Sequence, residues 1–342
     1  MKKGSSEAMR PNILKKTLAV NSILFLALLI AILFSLLEGT TKVGFWDTLS
    51  SIFSETNSTG ASTIVFSYRL PRILLACITG AGLACSGVVF QGVLRNPLAD
   101  PYIIGIAAGG ALGAVTSISL LKSSGLFMTS VSSFVGSLVA VALVYGLALS
   151  RKNSTYINTV ILAGIIVGSL MNATMLLIMS VSGSHELQRV LFWLMGDFSL
   201  ADYEQIMFSG PIVIAGFLLI YLNASRLNVL ALGDEFASTL GVDVTKNRLL
   251  LMTIASLITG SVVCVSGTIG FVGLVAPHSM RLLFGPDHRI LLPTAFLGGA
   301  IFLVISDTVA RLVAYPVELP VGVITALSGG PFFLYLLLRN RN

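Results

Sequence analysis

The sequence predicts an all-α membrane protein of about ten transmembrane helices, with both termini in the cytoplasm. Three observations predict it. Of 342 residues, 55% are hydrophobic and only 11% charged, against about 25% charged in an ordinary soluble domain. Mean hydropathy is +0.93, so water could not solvate the surface and lipid must cover most of it. Ten apolar runs are long enough, or nearly so, to cross a hydrocarbon layer of about 30 Å as helices. Backbone groups in lipid must be satisfied internally, which makes these runs helical.

In order, the runs are Leu18–Leu37, Ile73–Leu94, Ile103–Leu121, Leu126–Leu149, Ile157–Val181, Ile206–Leu222, Leu249–Gly267, Ile269–Phe284, Leu291–Ala310 and Leu319–Leu338. The first is too long for a signal-peptide core. The eighth is short and the third rich in glycine. With the N-terminus inside, only six of the 21 Lys and Arg fall outside: Lys42, Arg69, Arg72, Lys122, Arg189 and Arg311. The bias of basic residues toward the cytoplasm therefore fixes the orientation and favours an even number of spans. It also accounts for the net charge of +6 without nucleic acid. The chain reads as one membrane-embedded domain, 1–342, with no soluble domain.

Gly105/Gly109, Gly109/Gly113 and Gly164/Gly168 have the spacing that lets helices approach closely in lipid. Leu187, Val190, Leu191 and Leu194 recur at helical spacing in the polar outer stretch 182–205, as in a short interfacial helix. Cys77, Cys85 and Cys264 lie in apolar runs with no CxxC spacing and no neighbouring His, and read as core residues. No metal site is expected.

The energy source is not in this chain. Ion-driven carriers place ionisable groups at mid-membrane; here His278 and Arg281 lie near the inner end of the eighth run and Asp307 near the outer end of the ninth. No GxxxxGK[ST] phosphate loop occurs, nor any Gly-Lys dipeptide. The chain either conducts passively or is powered by a separate subunit. The segment 232–243 favours the second. Asp234, Glu235, Phe236, Ala237, Ser238, Thr239 and Leu240, followed by Gly241, carry helix start and stop signals. Phe236 and Leu240 are four apart and share a face, which suits a partner's groove; a capped turn would use the same residues.

Arg69-Leu70-Pro71-Arg72 precedes the second run on the outer side, where proline suits the first turn of a helix. Arg311 follows the ninth run, with Asp307 and Glu318 close in sequence. Such outer arginines serve either as headgroup anchors or as a patch that takes carboxylates from a partner. Arg69 and Arg72 have no acid within ten positions and so read as the freer pair.

These residues resemble the permease family of ABC importers for iron-siderophores, haem and vitamin B12. The resemblance covers nearly the whole chain and is strongest in four ordered blocks, 69–106, 232–242, 267–293 and 318–338. It implies a type II ABC importer permease bundle in a bacterial cytoplasmic (inner) membrane. It implies a homodimer, two ATPase subunits below that bind ATP and Mg, and an extracytoplasmic binding protein above. The permease itself would hold no cofactor and catalyse nothing. Within the family, residues matching Arg69, Arg72 and Arg311 receive glutamates of the binding protein, and the segment matching Asp234–Gly241 contacts the ATPase. Iron-siderophore is the expected substrate, with cobalamin or haem as alternatives. From another class, the alternative is a self-sufficient carrier or channel. Met171, Asn172, Met175 and Met179 of the fifth run are candidates for lining the pathway or for packing, and His278 reads as a packed histidine.

Overall fold

The computed structural model of the protein describes residues 9–39, 60–122, 125–150 and 156–339. Lys2, Lys3, Lys42, Arg151, Lys152 and Arg341, used in the charge count, lie outside them. All described elements are helical: α1 Met9–Leu37, α2 Leu70–Val93, α3 Ile106–Val115, α4 Leu126–Ser150, α5 Tyr156–Ser180, α6 Ser184–Met195, α7 Tyr203–Leu222, α8 Ala224–Ala231, α9 Asp234–Thr239, α10 Val244–Ser266, α11 Val272–Phe284, α12 His288–Leu312 and α13 Val321–Arg339. Seven helices among the described residues are long and apolar enough to cross a membrane. Three shorter apolar ones cover Ile106–Leu120, Val272–Phe284 and Val321–Leu336. Together they account for the ten apolar runs. The expected short outer helix is α6, with Val190 fully buried.

α2 is the core of the bundle, packed against α10, α11 and α12. Glycine sets how close the helices come. A Cβ on Gly80 would lie 2.3 Å from the Gly299 carbonyl oxygen, and one on Gly87 2.0 Å from that of Gly273. Real Cβ atoms never approach a backbone oxygen so closely, so α2 can touch α12 and α11 only with glycine there. Of the glycines spaced for contact, Gly109 and Gly113 pack α3 onto Gly136 and Ser132 of α4, and Gly164 packs on Ile103.

The chain between α10 and α11 is not helical although it is buried in the bundle. Gly267 and Phe271 there have φ of 71° and 69°, a conformation costly for a phenylalanine. Irregular backbone at such depth needs polar partners within the protein, and it has them. The Tyr102 hydroxyl donates to Ile269 O (3.0 Å) and accepts from Ile269 N (3.1 Å), while Asp197 N donates to Ser266 O.

The start of the second span differs from expectation. Helix does not begin at Pro71 but at Gly60, running through Gly60–Thr63 and a π-helical stretch Ile64–Arg69 into α2. A proline inside a helix has no N–H to donate. The π turn absorbs this: Leu70 N bonds to Val65 O, five residues back. By the same register Phe66 O would face the missing N–H of Pro71, and the Tyr203 hydroxyl donates to it instead at 2.8 Å.

Candidate docking and coupling sites

At the outer end the structure brings Arg69, Arg72 and Arg311 together, all 3–7% exposed. Arg72 is not free of acids. Its Nε donates to both Asp307 oxygens (3.0 and 3.1 Å), its Nη2 lies 2.9 Å from Asp307 Oδ1, and its Nη1 2.5 Å from Glu318 Oε2. Those partners lie 235 and 246 positions away, which is why proximity in sequence misses them. Asp307 also pairs with Arg311 Nε at 3.3 Å.

The other guanidiniums turn to the end of α1. Arg69 Nη1 donates to Leu36 O (2.5 Å) and Leu37 O (3.2 Å). Arg311 donates to Glu38 O (3.0 Å), Ser35 O (3.3 Å) and Ser35 Oγ (2.6 Å). The last carbonyls of a helix have no intrahelical donors and carry partial negative charge. Two arginines satisfy them here, binding α1 to α2 and α12.

At the opposite end, α9 is the helix expected at Asp234–Leu240. Gly233 precedes it with φ 120° and Gly241 follows with φ 74°. Ala237 is buried beneath it while Phe236 and Leu240 are 51% and 57% exposed. Asp234 fastens the helix to the bundle, accepting from Arg95 at the end of α2 (3.0 Å) and from Arg248 of α10 (2.7 Å). Asp234 thus ties α9 to α10 and to the end of α2. Sequence reasoning missed Arg95 and Arg248 in this role, because a lone arginine at an inner helix end is what membrane orientation alone requires.

Beside α9 lies a cavity of about 580 Å³ lined by Gln91, Arg95, Asn228, Arg281, Asp287 and His288. Burial works to raise the Asp287 carboxyl, but hydrogen bonds from Arg289 and Asn228 and the Arg289 charge outweigh it and hold it at about 2. Between α2 and α3, Asp100 caps the turn Pro101–Ile104 by accepting from Tyr102 N (2.8 Å). Burial pushes its carboxyl up to about 6 against that bond.

The four pathway candidates of α5 differ in burial. Met171 is 7% exposed in the main core, and Met175 and Met179 pack on Val115, Ile118 and Val190. A flexible thioether fills such gaps well. Of the four, only Asn172 is exposed. His278 sits beside Phe332 and Phe333, ring centroids 6.1 and 6.0 Å apart. Among the described residues no three His, Cys, Asp or Glu gather as a metal site.

Residues 27–339 match the FecCD transport family. The chain belongs to that family. It is 38% identical over 323 residues to the hemin transport system permease protein of Yersinia pestis, covering 93% of this chain and 96% of that one. It is 44% identical over 281 residues to the cobalamin import system permease protein of Halobacterium salinarum, covering 82% and 74%. A metal-chelate-type ABC transporter solved in an inward-facing conformation superposes with a TM-score of 0.82 at 33% identity, covering 94% of this chain and 99% of that one. This member of the FecCD family is an ABC importer permease and a multi-pass membrane protein, consistent with a bacterial inner membrane.

Proposed function

We propose that this chain moves an iron(III)-siderophore or related metal chelate inward, as the single-domain permease subunit (1–342) of a homodimer. Two separate ATPase subunits power it from the cytoplasm, and an extracytoplasmic binding protein delivers the chelate. The observation that carries the reading is the FecCD match over residues 27–339, in a chain with no phosphate loop of its own. α9 is the coupling element, with Phe236 and Leu240 as its apolar knob and Asp234 as its anchor. The arginine cluster at the other end is the docking site. Asn172 lines the pathway.

Cobalamin or haem is the second reading of the substrate, supported by relatives named for cobalamin and hemin import. A self-sufficient carrier is disfavoured, because the one acid buried within a span among the described residues, Asp307 near the outer end of α12, is committed to Arg72 and Arg311. The substrate is tested by titrating the cognate binding protein with ferric hydroxamate, ferric catecholate, ferric citrate, haem and cobalamin. The reading expects tight binding of one ferric chelate; binding of none of the five would overturn it.

A further inference from the structure

The two edges of the Arg72 guanidinium are held very differently. Nε and Nη2 face Asp307, whose side chain is 1% exposed; Nη1 faces Glu318, whose side chain is 31% exposed. One carboxylate is therefore a fixed, buried counter-ion. The other is within reach of solvent, on the connection from α12 to α13 that also exposes Val313, Tyr315 and Val317 at 64–67%. Arg69 and Arg311 donate to the end of α1, Ser35 and Thr308. Of the two carboxylates on Arg72, the one that an approaching protein could replace without opening the core is that of Glu318.

We propose that Glu318 is a resident stand-in for the binding protein's carboxylate, and that docking is a carboxylate exchange at Arg72 Nη1. This inference rests on the docking reading above. In the undocked permease, Glu318 neutralises a guanidinium edge that would otherwise be left at the surface unpaired. In the docked complex, an incoming glutamate or aspartate takes Nη1 and Glu318 swings to solvent, while Asp307 keeps Arg72 in place. Because one ion pair replaces another, the exchange keeps docking reversible, as a delivery cycle requires. Arg69, Arg72 and Arg311 stand against Asp307, Glu318 and the nearby Glu38, and removing the Glu318 charge leaves one net positive charge. That change strengthens steering of an acidic surface.

The test compares wild type, E318Q, E318A and R72K permease, each assembled with its ATPase in nanodiscs. Each is titrated with the cognate binding protein, at low and at high salt. E318Q and E318A should tighten docking by roughly two- to fivefold at low salt, the scale of one exposed ion pair. The gain should rise through the association rate and shrink at high salt. R72K should weaken docking, since an ammonium cannot hold two carboxylates on separate edges. If R72K weakens docking but both Glu318 variants dock like wild type or more weakly, the exchange is wrong and Glu318 only positions Arg72. If R72K docks like wild type, the docking reading itself fails, and the exchange with it. Thermal unfolding of each variant shows that a folded protein was compared, and E318A serves if E318Q does not assemble.

Discussion

Arg72 shows how far a residue's meaning depends on partners that the sequence does not place beside it. The outer arginines were legible as unusual, because they run against the charge bias of membrane proteins. That Arg72 is held by Asp307 and Glu318, and that Arg69 and Arg311 hold the end of α1, required the fold. The structure makes charge reversal at Arg72 a stability experiment as much as a docking one. Arg72→Glu would set three carboxylates together at a largely buried site, and breaking a buried pair costs about 3–5 kcal/mol. Its melting temperature in detergent should fall well below that of R72K; equal values would show that the Asp307 pair carries little of the packing. Asp100 gives a second test at this scale. Its carboxyl lies at about 6 in the folded protein, against about 3.9 unfolded. The folded state thus binds more protons between those values, so this group's effect on stability becomes more favourable as pH falls from 7 toward 4. Asp100→Asn keeps an acceptor for Tyr102 N–H without the charge. It should melt at or above wild type at pH 7.5, with the advantage shrinking at pH 5. A variant less stable at both pH values would contradict this.

Helices were legible wherever hydrophobic length decided them, and ten apolar runs reappear as ten apolar helices. What was not legible follows one pattern: it depends on contact between distant segments. Glycine spacing within one helix revealed the Gly109 and Gly113 contact with α4. The equally close approaches of Gly80 to Gly299 and Gly87 to Gly273 use glycines that belong to no GxxxG pair and so leave no spacing to read. Pro71 read as a helix start because the π turn that accommodates it needs the Tyr203 hydroxyl from another span. That Met171, Met175 and Met179 pack inside the bundle while Asn172 is exposed could not be read before the buried face of α5 was known. The helix α9 was legible because its caps and its apolar pair are local. Burying Phe236 and Leu240 in a partner contributes roughly 1.5–3 kcal/mol each. Phe236→Asp with Leu240→Asp should therefore abolish co-purification of the ATPase. Both side chains are exposed, so the melting temperature of the isolated permease should barely change. Retained ATPase at wild-type stoichiometry would remove α9 from the coupling role.

At the scale of the molecule, ion pairs sit at the two ends of an apolar bundle. The outer cluster joins α1, α2, α12 and the approach to α13; the inner one joins α2, α9 and α10 through Asp234. α2 runs from one to the other, with 83% of its most apolar stretch buried, and so links the face that would receive the binding protein to the face that would receive the ATPase. Its burial against α10, α11 and α12 makes it a stiff element for carrying force between them. The central claim is that this chain supplies the path and another subunit supplies the energy. Proteoliposomes containing the permease alone, or the permease with its ATPase and internal ATP, test it directly. The binding protein, loaded with labelled ferric chelate, is added outside in both cases. Accumulation should require the ATPase and ATP, and the permease alone should neither hydrolyse ATP nor concentrate the chelate under an imposed proton or sodium gradient. Accumulation by the permease alone, driven by either gradient, would contradict the account.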